Sequence, residues 1–87
     1  MDLTLILEPS VPDFGWVLCF GDAGVRPATT WYSKSQGQLV ISQVDMARLS
    51  REHIRLIEKF EQRMIDHICE CESLRHLRQL VCTQPVS

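Results

Sequence analysis

The chain has 87 residues, a formal net charge of −2, 45% hydrophobic and 23% charged residues, a composition that excludes disordered, collagen-like and low-complexity chains. No apolar run approaches the roughly 18 to 20 residues of a membrane span, and Asp2 stands where a secretory leader carries basic residues. One domain over residues 1–87 is expected, cytoplasmic, with reduced cysteines and a thin stability margin because so short a chain buries a small core.

Leu3, Leu5 and Leu7 alternate with Asp2, Thr4, Ile6 and Glu8, which predicts a strand over residues 2–8 with one buried face. Pro9 and Pro12, with Ser10 and Asp13, break it. Residues 14–20, FGWVLCF, are apolar at both alternating sets of positions. Trp16, Leu18 and Phe20 face one side and Val17 and Cys19 the other, as in a strand covered on both faces.

GDAGVRP, residues 21–27, reads as a loop, and ATTWYS, residues 28–33, as a strand rich in β-formers. A KSQG turn leads to a fourth strand over residues 38–44. The spacing predicts an antiparallel meander of three to four strands.

Ser50 is an N-cap candidate, Leu49 and Ile54 suit a hydrophobic staple, and Glu52 falls in the first turn. Ile54, Ile57, Phe60, Met64, Ile68, Cys71, Leu74, Leu77 and Val81 then recur at steps of three and four. That stripe predicts an amphipathic helix over residues 51–82. It is either continuous, with an outer half that needs a partner helix, or broken near residues 71–73 with Ser73 capping a second helix. The fold class is α+β.

Of the constellations that could carry chemistry, His67 and Cys71 share one helical face, but Cys69 points away from them. Two convergent ligands fall short of the four a structural zinc takes, so no metal and no cofactor is expected. His53 falls on the apolar side, where a hydrogen-bonded, partly buried ring is expected. The sequence contains no GxSxG, no HExxH and no complete P-loop, since GDAG lacks the following Lys-Ser/Thr. No catalytic residue is therefore assigned.

Charge is unevenly spread. Before Asp45 the acids Asp2, Glu8, Asp13 and Asp22 outnumber Arg26 and Lys34, whereas seven acids balance seven bases from Asp45 onward. Arg51, Arg55, Lys59 and Arg63, joined by Arg48, form a basic ladder within an arc of about 120° opposite the apolar stripe. Like charges one turn apart repel, so the ladder suits an acidic protein surface or nucleic-acid phosphate. Glu52, Asp66 and Glu70 dilute it, and no aromatic side chain is interleaved for base stacking. Trp31 and Tyr32, adjacent on a strand, face opposite ways, one into the core and the other either simply exposed or at a contact.

These features predict a non-enzymatic protein-binding module: a regulator, adaptor or inhibitor of a larger assembly. Arg51, Arg55, Lys59, Arg63, Trp31 and Tyr32 are its candidate partner-binding residues. Met64, Ile68, Cys71, Leu74, Leu77 and Val81 are candidates for homodimerisation through the C-terminal helix. Nucleic-acid binding through the basic ladder is the alternative; a zinc protein or small enzyme ranks below both.

Overall fold

A computed structural model describes residues 2–10, 15–22 and 24–85. Its strands are β1 (Asp2–Ser10), β2 (Gly15–Phe20), β3 (Ala28–Ser33), β4 (Gln38–Ile41) and β5 (Leu80–Pro85), and its helices α1 (Gln43–Arg48) and α2 (Arg51–Leu74). All five strands form one antiparallel sheet in the order β4-β3-β2-β1-β5. The expected α+β order, a meander of four strands followed by a long helix, is the observed one, with an additional C-terminal strand. Phe14, expected to open the second strand, lies outside the described residues, as do Pro12 and Asp13.

Register assigns the two faces. Leu7 pairs with Leu18 and Leu18 with Ala28, while Leu5 pairs with both Phe20 and Cys82. Leu5, Leu7, Leu18, Ala28 and Cys82 thus share the face that packs on α2, where they are fully buried with Leu56, Met64, Ile68 and Cys71. Thr30 lies on this face as a buried polar residue, and its hydroxyl donates to the Val40 carbonyl at 3.0 Å. Satisfying that hydroxyl internally removes the penalty of burying it.

Two strand boundaries differ from expectation, each for a local reason. β1 continues through Pro9 and Ser10, because Pro9 pairs with Trp16 and Ser10 with Gly15. β4 stops at Ile41 rather than near Val44, because the Ser42 hydroxyl accepts the Asp45 N–H and starts α1. The Arg48 guanidinium and the Ser42 hydroxyl, both hydrogen-bonded to the Asp45 carboxylate, hold that carboxyl below its usual range.

The largest correction concerns the C terminus. Neither a helix to residue 82 nor a second helix capped by Ser73 is present: α2 ends at Leu74, and Arg75 adopts the left-handed conformation at φ 52°. The Arg75 N–H then donates to Glu72 O and the His76 N–H to Cys71 O, closing the last turn. Residues 80–85 return as a strand along β1, from Leu80 beside Leu7 to Pro85 beside Asp2. Pairing there satisfies the backbone of β1 and places Cys82 in the core, neither of which a helical continuation could do.

Candidate functional site

The buried side of α2 is broader than the predicted stripe. It includes His53, Leu56 and Ile65 besides Ile57, Met64, Ile68 and Cys71. Met64, Ile68 and Cys71, assigned to self-association, are at most 1% exposed against the chain's own sheet. Leu74, Leu77 and Val81, the rest of that set, are 59%, 62% and 47% exposed. They lie on three different elements: the end of α2, the connection after it, and β5.

Arg51, Arg55, Lys59 and Arg63 are exposed on the outer face of α2, and among the described residues none of them joins an ion pair. Arg48 leaves this group, since its guanidinium pairs with Asp45 and donates to the carbonyls of Arg26 and Pro27. It fastens α1 to the loop before β3.

His53 connects the other end of that loop to α2. Its Nε2 lies 2.9 Å from the Asp22 carboxylate, its Nδ1 meets the Ser50 hydroxyl, and its ring stands edge-on to Phe20. Serine, histidine and aspartate in series are the residue types of a nucleophile relay. Here, however, the Ser50 oxygen also accepts the His53 backbone N–H as the N-cap of α2, a role worth about 1 kcal/mol. The relay secures the loop and starts the helix.

His67 and Cys71 do share a helical face, with Nε2 and Sγ 3.4 Å apart. The same Nε2 lies 2.7 Å from the Arg78 carbonyl. A carbonyl only accepts, so this nitrogen carries its hydrogen and cannot take the Cys71 proton. The contact ties the end of α2 to the approach to β5. Among the described residues no group of three or more His, Cys, Asp and Glu is placed to hold a metal ion, and all four cysteines are free.

The feature that sequence reasoning missed is the second face of the sheet. Alternation and register place Val40 and Trp31 there as neighbours, with Ile6 between Cys19 and Val81, and Val17 on β2. No element among the described residues covers this face, and Trp31 is 45% exposed. Tyr32, the inward member of the aromatic pair, packs partly buried against the core.

Charge on this face is sparse and partly engaged. Glu8 accepts from the Gln79 amide at 2.7 Å and faces the Cys19 thiol at 3.7 Å. Burial first, and then the adjacent Glu8 charge and hydrogen bond, push the Cys19 thiol up from its ordinary value, which keeps it neutral. Burial likewise raises Cys82 on the opposite face, against a smaller opposing effect of Arg63.

No known protein family, curated protein or solved structure matches the chain.

Proposed function

We infer that the chain is a non-enzymatic protein-binding module that forms a homodimer by packing the open faces of two sheets together. One observation carries this reading: β2 is apolar on both faces, as in a sheet covered on both sides, yet among the described residues only one face is covered. A face whose apolar side chains are interleaved with threonines (Thr4, Thr29 and Thr83) and carry little free charge suits its own copy, because a twofold contact sets each patch against itself with little like-charge repulsion.

Size supports the same reading. Five strands about 4.8 Å apart and about six residues long give a footprint of roughly 500 Å² per subunit. The pair buries about 1,000 Å² or more, near the threshold for a specific interface, so micromolar affinity is expected. Four free thiols accord with a reducing, cytoplasmic setting. No helix among the described residues is long and apolar enough to cross a membrane.

Sedimentation equilibrium over about 10 to 500 µM should show wild-type protein passing from monomer to dimer. Trp31→Glu should remain monomeric with an unchanged circular dichroism spectrum. A wild type that stays monomeric throughout discards the reading.

A second reading, nucleic-acid binding, is favoured by the absence, among the described residues, of ion-pair partners for Arg51, Arg55, Lys59 and Arg63. It predicts mobility shifts that weaken steeply with salt and that Arg55→Glu reduces. Retention that does not change with salt dismisses it.

A further inference from the structure

The edge of the sheet opposite β5 is β4, and beside it a cleft of about 330 Å³ runs between β4 and α2. The Val40 carbonyl points toward β3, where it takes the Thr30 hydroxyl. Strand alternation therefore turns the N–H and C=O groups of Leu39 and Ile41 outward to the free edge. The side chains of the same two residues, with Met46, Ile54 and Ile57, give the cleft its apolar lining. Unpaired edge groups beside apolar side-chain space are the two requirements for adding a strand to a sheet.

The far wall selects the occupant. Glu58 and Glu61, one turn apart on α2, line the cleft, and among the described residues neither makes a salt bridge or side-chain hydrogen bond. Two free carboxylates facing a peptide site favour a cation on the incoming chain and repel an acid. They also disfavour a second copy here, because pairing two β4 edges would bring both acidic walls together.

We propose that the β4–α2 cleft binds an extended segment of a partner protein by strand addition, with an apolar side chain in the cleft and a Lys or Arg two residues along it against Glu58 and Glu61. The spacing follows from the strand period, which turns every second side chain to the same face. The volume is at the low end for ligand clefts and accommodates one or two side chains rather than a compact ligand. This inference rests on the reading of the chain as a protein-binding module, but not on the contact between two open sheet faces.

The test uses the full chain and a capped peptide, Ac-Ser-Val-Thr-Leu-Thr-Lys-Thr-NH2, followed by amide chemical shifts at up to about 1 mM peptide. Shifts centred on Leu39 and Ile41 and on Ile54 to Glu61 are expected. Replacing the peptide lysine by glutamate, or making the double variant Glu58→Gln and Glu61→Gln, should weaken binding by about tenfold. Both glutamates lie at the cleft wall outside the core, and preserved amide dispersion verifies that the double variant folds.

No shift at that concentration, equal binding of the glutamate peptide, or shifts centred on Trp31 and Val81 overturns the proposal. So does dilution-dependent movement of the Leu39 and Ile41 amides without peptide, which would assign the edge to a second copy. Sedimentation of the same samples separates the two ideas. A dimer that takes no peptide overturns the cleft alone, whereas a monomer that takes none overturns the protein-binding reading as well.

Discussion

Leu18→Ala should lower stability by about 3 to 4 kcal/mol, the range for emptying a buried leucine site whose walls collapse only in part. Leu18 is 0% exposed at the centre of the middle strand, flanked by Leu7 and Ala28 on the helix-facing side. The Ala28 neighbour has no longer side chain with which to fill the space. A domain of this length holds about 4 to 13 kcal/mol in total, so the substitution removes a large share of the margin. With a slope of about 1.5 kcal/mol per M, the urea midpoint should fall by roughly 2 to 3 M. Measurement belongs at low protein concentration, because self-association would raise the apparent stability. Phe60→Ala is the control: Phe60 is only partly buried against the core, under the Lys59 ammonium 5.6 Å from its ring centre. It should cost roughly half as much or less. Equal losses at the two sites, or less than about 1 kcal/mol at Leu18, would contradict a core centred on β2.

Phe60 also illustrates how far periodicity carries. Steps of three and four identified a real buried side of α2, and Ser50, Leu49 and Glu52 marked its start correctly, because capping chemistry is local. The width of that side was not legible, since Leu56 and Ile65 are buried only because a broad five-stranded sheet lies beneath them. Nor was the end of the helix. Helices stop most readably at glycine, and this one stops at Arg75 in the left-handed region, a conformation that costs an L-residue about 1 kcal/mol or more. With no glycine to mark the stop, Leu77 and Val81 continued the stripe by coincidence. The alternation of Leu80 and Cys82 against Val81 and Thr83, with Pro85 closing the run, was the available strand signal.

The same contrast applies to the surfaces. The opposed orientations of Trp31 and Tyr32 followed from strand geometry alone, and so did the shared face of His67 and Cys71. The Ser50–His53–Asp22 chain required the loop after β2 to fold back on α2, a contact spanning 31 residues between Asp22 and His53 that no spacing encodes. The double-sided apolar pattern of β2 was visible from the start. What it lacked was the position of the helices: both lie on one side, which turns a pattern that reads as interior into an exposed apolar face.

Cys82→Asp should abolish the folded state, while its neighbour Val81→Asp should leave the monomer intact. Cys82 is 1% exposed opposite Leu5, within the sheet–helix core, so a carboxylate there loses its hydration, and the nearby Arg63, exposed on α2, offsets only part of that loss. Breaking or burying an uncompensated charge at such a site costs about 3 to 5 kcal/mol, comparable to much of the margin. Val81 points to the open face beside Ile6 and is 47% exposed, so aspartate at that position keeps its water. A helical continuation predicts no such contrast in folding, because both residues would then lie on the outer half of the helix, beyond the sheet. Far-UV circular dichroism and urea titration of the two variants therefore distinguish β5 from a helical tail. Sedimentation of Val81→Asp adds an independent outcome. A folded chain that no longer dimerises places the contact on the open sheet face, whereas a folded chain that still dimerises removes Val81, and the face around it, from the interface.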